Sequence, residues 1–318
     1  MSKGSDKGLK EVKTVEEELT FASLREYHHS LYELNPKSVG RAYIFANAEF
    51  NEKKLERRDG NEKDEGALKT LLEKMGFKTK LLSDLTRSGF DEEMNKISKV
   101  DFSNDSCVLV AVLSHGDEDK VWMKDRQVDE DEFYDRFSRE KCPAMIGKPK
   151  IFLFQTCKGF KSDKTTNLSD QTDTTYFTEA VTTDDDVIEL EGESSSTTPS
   201  TADVIKCLAT SHGFVSFRNT HHGSWFIQNF VDVFNTYVED KSDDEIDFLS
   251  LMMVVAKKVA SKSATDKCGN IYKQMPCVTT TLQKRIVFPK AKDICHVQSP
   301  VGDVKAESND KSNPTVSK

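Results

Sequence analysis

From Arg41 onward, short strand-forming runs alternate with helix-forming runs, and this alternation limits the possible folds more than any other sequence feature. Runs rich in apolar and β-branched residues predict strands at 41–48, 77–84, 106–115 and 150–157. Apolar residues at helical spacing predict helices at 62–77, 91–98 and 129–137. The strand run SCVLVAVLSH, 106–115, is apolar along almost its whole length, which is typical of a strand covered on both faces. The pattern therefore predicts an α/β fold with a mostly parallel sheet and helices on both of its faces.

The composition changes abruptly after this first half. Residues 161–203 are rich in Asp, Thr, Ser and Glu and hold few apolar side chains, which predicts a solvated linker. Order is predicted to resume at Val204, with helices over 223–238 and 243–260 and strands at 276–282 and 285–288. At the two ends, we expect residues 1–20 and the polar tail to be mobile, with a short helix at 19–34.

The net charge and the lengths of the apolar runs exclude several classes of protein. The chain has 318 residues and a net charge of −9, and an acidic surface argues against a nucleic-acid partner. No apolar run approaches the ~18 residues that a membrane span needs, and the first thirty residues lack the apolar stretch of a signal peptide. These features predict a cytoplasmic protein without a membrane partner.

The seven cysteines are widely spaced, and no two of them form a C-x-x-C pair. This spacing lacks the signature of a zinc site, and the cytosol disfavours disulfides. We therefore expect reduced thiols, no metal and no cofactor.

Reactive side chains follow two of the predicted strands. His115 and Gly116 follow the strand at 106–115, and Gln155, Cys157 and Gly159 close the strand at 150–157. If these strands are neighbours, a thiol and an imidazole meet at the carboxyl edge of the sheet, where open α/β folds bind ligands. An imidazole can raise the thiolate fraction and later protonate a leaving amine. Taken alone, a cysteine and a histidine at strand ends are equally compatible with inert packing.

At this point the sequence resembles the caspase family. QTCKG, 155–159, is similar to the family's nucleophile pentapeptide Q-A-C-[RQG]-G, and His115 lies 42 residues upstream. The resemblance departs at Thr156, which adds a hydroxyl, and at Lys158, which stands where an arginine is usual. Three further stretches resemble the family in the same order: LSHGDED at 113–119, RRDGNEKDEGALKTLLEKMGF at 57–77 and FVSFRNTHHGSWFIQNF at 214–230.

The resemblance implies a cysteine endopeptidase that cleaves proteins after aspartate. It assigns Cys157 as the nucleophile and His115 as its acid–base partner, with N–H groups of Gly116 and Cys157 facing the oxyanion. It assigns the substrate-binding side chains to Arg58, Gln155, Ser216, Phe217, Arg218, Asn219 and Trp225. The two guanidinium groups and the Gln155 amide would surround the aspartate carboxylate, which suits the fork geometry of arginine. Without the resemblance, the two arginines read as surface charges and the two aromatics as core residues.

The linker contains DQTD, 170–173, and the resemblance makes Asp173 the predicted site at which the chain is processed. Asp184, Asp185 and Asp186 are weaker candidates, and an inert acidic spacer is the alternative. The predicted organisation is a short flexible prodomain at 1–37, a large subunit at 38–173, a linker at 174–203, a small subunit at 204–290 and a disordered tail at 291–318.

The resemblance further implies a three-layer sandwich with a six-stranded central sheet, a homodimer, activation by an upstream caspase and a role in programmed cell death. The alternative is a catalytically weak homologue that regulates an active caspase by dimerisation. A related protease that cleaves after basic residues would need carboxylates in place of Arg58 and Arg218.

Overall fold

The computed structural model describes residues 25, 28–159, 163–164 and 201–295. The predictions for residues 1–20, for the linker up to residue 200 with Asp173 and Asp184–Asp186, and for the tail beyond residue 295 lie outside the described residues. Within the predicted helix at 19–34, Arg25, His28 and His29 are helical, whereas residues 30–34 are not, so the helix ends before the predicted residue 34.

A six-stranded sheet forms the centre of the molecule. In chain order its strands are β1 (Gly40–Ala46), β2 (Phe77–Ser83), β3 (Cys107–Leu113), β4 (Lys150–Gln155), β5 (Val204–Leu208) and β6 (Cys277–Thr280). Their spatial order is β6-β5-β4-β3-β1-β2. The five strands from β1 to β5 pair in parallel, and only β6 pairs antiparallel, with β5. This confirms the predicted mostly parallel sheet, with β3 and β4 as its central pair.

The helices cover both faces of this sheet, as the sequence predicts. In chain order they are α1 (Asn61–Lys74), α2 (Arg87–Ile97), α3 (Asp131–Tyr134), α4 (Trp225–Glu239), α5 (Phe248–Ser261) and α6 (Ala291–Cys295). Successive side chains of a strand point to opposite faces, so Leu109 and Ala111 of β3 pack in the core with α1, α4 and α5. Val108 and Val110 of the same strand pack with α2 and α3 in a second core. The near-continuous apolar run of β3 is thus explained by burial on both sides.

Three helices begin at side-chain caps that the sequence supplies. Thr86 accepts a hydrogen bond from the Gly89 N–H at 3.2 Å, so α2 begins four residues before the predicted start at 91. Ser224 caps α4 and Asp247 caps α5 in the same way. The Ser224 cap sets where α4 begins, and it thereby affects the predicted site residues that precede this helix.

One predicted strand is wrong, and one observed strand is not predicted as a separate strand. Residues 285–288 form no strand, and Arg285 makes only an isolated bridge with Leu31. The main chain of this segment instead bonds to helical elements, since Ile286 O accepts from the Phe248 N–H at 2.7 Å and Phe288 O accepts from the Tyr237 hydroxyl at 3.0 Å. The sixth strand is β5, which lies at the start of the segment where order was predicted to resume.

Three small β-structures lie outside the central sheet. Strands Gly116–Asp117, Lys120–Trp122 and Gln127–Asp129 form an antiparallel sheet directly after β3. Strands Arg218–Asn219 and Gly223–Ser224 form a short hairpin, and Ala264–Thr265 pairs with Ile271–Lys273. Helix α6 occupies the first five residues of the predicted tail. Among the described residues, no helix has both the length and the apolar character to cross a membrane.

Candidate active site

The register of the two central strands brings the predicted histidine and cysteine to the same edge. Leu113 of β3 is paired with Gln155 of β4, which are the last residues of both strands. His115 and Cys157 each lie two residues beyond that pair, so the chain places them at matching positions where the strands end. The Ser114 N–H still donates to Gln155 O at 3.3 Å, which continues the pairing past the end of β3.

Gly116 packs closely against the segment that carries the cysteine. A Cβ atom at this position would lie 2.8 Å from Thr156 Cβ and 3.1 Å from Cys157 O. Contacts this short exclude a side chain, so only glycine lets the two segments approach to this separation. The main-chain N–H groups of Gly116 and Cys157 therefore belong to one compact corner of the molecule.

The His115 imidazole is held by a main-chain carbonyl and an aromatic ring. Its Nε2 atom lies 2.9 Å from Glu56 O, and the Phe50 ring packs against it with ring centroids 4.8 Å apart. Burial lowers the pKa of His115, and the positive charges of Arg58 and Arg218 act in the same direction, while the bond to Glu56 opposes them. The carbonyl fixes the tautomer and the ring orientation.

The half-buried Cys157 thiol contacts a serine from the second half of the chain. Its Sγ atom lies 3.8 Å from Ser216 Oγ, and Ser216 Oγ also accepts a hydrogen bond from Gln155 Nε2 at 3.0 Å. Gln155 is almost fully buried, and its Oε1 atom has no partner among the described residues. The predicted binding residues Gln155 and Ser216 are thus directly bonded beside the thiol.

Arg58 is a buried guanidinium and not the surface charge that its local sequence alone would suggest. Only 2% of its surface is exposed. Its Nη1 atom donates to Asn61 Oδ1 at 2.5 Å and to Asn47 O at 3.5 Å, while its Nε has no partner in the described part of the chain. Burial and the nearby Arg218 charge lower the pKa of Arg58 to about 9, so the group stays cationic at neutral pH.

Arg218 lies beside Arg58 although 160 positions separate them. Its Nε donates to Asp59 O at 2.9 Å, and the pKa of Arg218 is lowered by burial. Gly60, with φ of +86°, lets the chain after Asp59 approach the hairpin, because a Cβ there would lie 2.7 Å from Asn219 O. The two arginines are therefore positioned by a direct contact between the 59–60 turn and the hairpin at 218–224.

The aromatic residues form a connected group next to the arginines. Phe217 packs on Trp225 with ring centroids 4.9 Å apart, and the Tyr272 ring centroid lies 6.4 Å from that of Phe217. The Phe217 N–H donates to Gln274 Oε1 at 2.7 Å, and the Trp225 N–H donates to Phe217 O at 3.1 Å. Both predicted aromatics are only half buried, so part of each ring faces the surface, and Trp225 also packs against the hydrophobic core.

Asn219 is the predicted residue whose polar group is already partly used. It is exposed, and its Oδ1 accepts from the His221 and His222 N–H groups at 2.9 and 3.0 Å. Its side-chain oxygen therefore shapes its own turn, and within the described parts of the chain its NH2 group makes no hydrogen bond.

A buried carboxylate joins α1 to the start of α4. Asp64 accepts from the Ser224 N–H at 2.9 Å and from Gln228 Nε2 at 2.8 Å. Burial raises the pKa of Asp64, and these hydrogen bonds oppose that change. The next residue back, Gly223, has φ of +90°, and a Cβ there would lie 2.3 Å from Asp64 Oδ1. Asp64 thereby holds the hairpin that carries Arg218.

The structure brings ten of the eleven predicted site residues to one end of the sheet, while Asp173 lies outside the described residues. Sequence reasoning missed three groups there: the Glu56 carbonyl, the Asp64 bridge and Gln274. A main-chain carbonyl leaves no residue-type signal. Asp64 lies in the same stretch, 57–77, that resembles the family around Arg58, and this could have identified it.

Comparisons with known proteins match most of this chain to caspases. A family model described as "Caspase domain" matches residues 39–287. Caspase-6 of Gallus gallus is 32% identical over 267 residues, which cover 82% of this chain and 84% of the relative. Caspase-1 of Spodoptera frugiperda is 31% identical over 265 residues, covering 81% of each chain. The crystal structure of that caspase-1 superimposes with a TM-score of 0.69 and covers 82% of this chain and 94% of its own.

Proposed function

Because this chain belongs to the caspase family, we propose that it is a cysteine endopeptidase that cleaves proteins after aspartate. Cys157 is its nucleophile, His115 its acid–base partner, and Arg58, Gln155 and Arg218 bind the aspartate side chain. Ser216, Phe217, Asn219 and Trp225 contact the residues that precede the aspartate.

The observation that carries this proposal is the unused hydrogen-bonding capacity beside the thiol. Arg58 Nε and Gln155 Oε1 are buried without partners in the described part of the chain. Buried polar atoms are nearly always paired in folded proteins, so such atoms call for a functional explanation. The guanidinium groups of Arg58 and Arg218 support the binding of one carboxylate, because an arginine can donate two parallel hydrogen bonds to it. A neutral or basic side chain would bring no negative charge to the buried Arg58 and the half-buried Arg218 guanidinium groups.

The geometry supports a two-step mechanism. The Cys157 thiolate attacks the carbonyl carbon after the aspartate, and the new C–S bond forms as the carbonyl oxygen takes up the negative charge. His115 then donates its proton to the departing amine nitrogen, and the C–N bond breaks to leave a thioester. In the second step water gives a proton to His115 and attacks the thioester. The C–S bond then breaks, which releases the carboxylic acid and restores the Cys157 thiolate beside the protonated imidazole.

The main-chain donors favour the charged intermediate over the bound substrate. The N–H groups of Gly116 and Cys157 come from two segments in van der Waals contact, which suits donation to one oxygen atom. The Glu56 carbonyl accepts from the imidazole N–H and thereby favours the imidazolium form that this step requires. Fixed donors of this kind contribute typically about 10²–10³ in kcat.

We further propose that cleavage after Asp173 separates a large subunit, 38–173, from a small subunit, 204–290, and that the protein acts as a homodimer in the cytoplasm. An upstream caspase or a second copy would cut this bond, and the role in programmed cell death belongs to the same proposal. The contacts across the predicted cut support two subunits that stay associated, since β4 pairs with β5 and Asp64 bonds to Ser224.

The deciding experiment is a peptide assay with Asp, Asn, Glu or Arg at the cleaved position. We expect kcat/KM for Asp to exceed that for Asn by at least ~10²-fold, because the neutral amide of Asn cannot accept charge-assisted hydrogen bonds from both guanidinium groups. Cys157→Ala should abolish turnover, and Cys268→Ala, which removes an exposed thiol, should retain it.

Two outcomes would contradict the proposal. Preference for Arg, or unchanged turnover by Cys157→Ala, would reject the mechanism. A folded wild-type protein that cleaves none of the four peptides and yet binds an active caspase would instead support the catalytically weak homologue.

A further inference from the structure

A buried ion pair lies directly behind the proposed nucleophile. Lys158 follows Cys157 in the chain and has no exposed surface, and its Nζ contacts the carboxylate of Glu130, whose side chain is 6% exposed. The Lys158 ammonium also lies 5.2 Å from the centre of the Phe154 ring. Both charges are therefore largely removed from bulk water.

Stability alone does not account for two charges at this place. Removing a carboxylate and an ammonium from water costs several kcal/mol per ion, and a well-packed apolar pair of similar volume commonly stabilises a fold at least as well. Both neighbouring cores are built from apolar side chains, so such a pair would fit its surroundings. The charged pair thus supplies a fixed orientation that an apolar contact would not.

The ion pair joins the two segments that carry the proposed oxyanion donors. The Glu130 N–H donates to Asp119 O at 2.8 Å, which ties Glu130 to the small antiparallel sheet that begins at Gly116. Lys158 is covalently next to Cys157. The link from Glu130 to Lys158 therefore closes a loop that contains both the Gly116 and the Cys157 N–H groups.

The main chain of Lys158 is held from the opposite side. Its N–H donates to Phe214 O at 2.9 Å, and its carbonyl accepts from the Gly213 N–H. Gly159, with φ of +140°, permits this contact, because a Cβ there would lie 2.6 Å from the Gly213 backbone. With the backbone fixed on one side and the ammonium on the other, the residue after the nucleophile has little freedom.

We propose that the Glu130–Lys158 pair is a positioning device that sets the separation of the Gly116 and Cys157 N–H groups. This inference rests on the proposed protease function. Since those donors bind charge that develops only in the transition state, loosening the pair lowers kcat and leaves KM nearly unchanged.

The test measures kcat and KM for an Asp peptide, and the melting temperature, on the full chain. Lys158→Met and Glu130→Gln each leave one buried charge unpaired, and we expect a fall in kcat of at least tenfold with KM within twofold of wild type.

The double variant Glu130→Leu/Lys158→Met removes both charges, and we expect it to recover the wild-type melting temperature while kcat stays at least tenfold low. Lys258→Met, which removes an exposed ion pair with Asp232, is the matched control and should change neither kinetic parameter.

The outcomes separate this inference from the proposed function. Recovery of kcat together with the melting temperature in the double variant would reduce the pair to packing and overturn the inference. Wild-type kcat in folded single variants, or a change confined to KM, would also overturn it. If the single variants do not fold, the kcat of the double variant alone tests the inference. Absence of Asp-directed activity in the wild-type protein would reject the proposed function instead.

Discussion

The Asp64 carboxylate accepts hydrogen bonds from the Ser224 N–H through both of its oxygens, at 2.9 and 3.0 Å, across 160 positions of sequence. Ser224 is at once the cap of α4 and the partner of Arg218 in the hairpin. One buried carboxylate thus fixes the start of a core helix and the position of a proposed binding residue. The integrity of the pocket and the stability of the fold are coupled at this point.

This coupling makes Gly223→Ala a sharp test of local packing. The new Cβ would meet Asp64 Oδ1 at 2.3 Å in a left-handed backbone conformation, so we expect a loss of at least about 2 kcal/mol in the free energy of unfolding. The matched control is Gly66→Ala in α1, where a Cβ meets nothing within 4 Å. That change should stabilise by about 0.5–1 kcal/mol through helix propensity. Denaturant unfolding measures both, and equal stability of the two variants would contradict the contact.

Two adjacent arginines allow a direct test of the carboxylate pocket. Arg58 is buried, whereas Arg57 is exposed and pairs with Asp59 on the surface. Arg58→Lys keeps the charge but loses the planar fork, and we expect kcat/KM for an Asp peptide to fall at least ~10-fold. Arg57→Lys makes the same chemical change one residue away and should leave kcat/KM within twofold. Similar losses in both variants would remove Arg58 from the pocket.

The environment of His115 predicts a shifted titration. Burial, with help from Arg58 and Arg218, lowers the pKa of His115, so the imidazole should titrate below 6.5 in a folded Cys157→Ala protein. Arg218→Gln removes one repulsive charge and should raise this pKa, while Arg126→Gln, which changes an exposed arginine, should not. NMR titration of the ring protons, assigned with His115→Gln, measures the shift. A His115 pKa at or above 6.5 in the Cys157→Ala protein would contradict the prediction.

The lowered pKa of His115 also makes the stability of the fold depend on pH. A histidine in an ion pair has a raised pKa and stabilises the fold at low pH, whereas His115 has the opposite effect. Between pH 6.5 and the lower folded-state pKa, the unfolded chain binds more protons at this residue than the folded one. The contribution of His115 to stability is therefore present above 6.5 and is lost as the pH falls through that window. Wild type should therefore lose stability relative to His115→Gln as the pH falls through this range, which denaturant unfolding of both proteins measures; a stability difference that does not change with pH would contradict this.

Processing after Asp173 can be tested without any assumption about substrates. We expect Asp173→Ala to keep the chain intact under conditions in which wild type forms two fragments, as read by intact-mass spectrometry. Asp184→Ala is the matched control within the same acidic stretch and should fragment as wild type does. Cleavage of Asp173→Ala at the bond after residue 173 would exclude an aspartate-specific cut there.

Much of the architecture could be predicted because strand and helix periodicity are local properties. The apolar run at 107–113 and the helical spacing in 61–74 identify their elements without knowledge of the partners. The prediction failed at 285–288, where β-branched and aromatic residues suggest a strand. There the Phe248 N–H and the Tyr237 hydroxyl take main-chain oxygens of the segment, so tertiary contacts override the local preference.

By itself, the sequence determined which residues close the central strands and hence that a thiol and an imidazole follow them. Only the tertiary structure decided that Leu113 pairs with Gln155, that Arg58 lies beside Arg218, and that Lys158 finds Glu130. The physical reason is that periodicity encodes which face of an element is buried, whereas register, charge pairing and close backbone approach depend on partners far away in the chain.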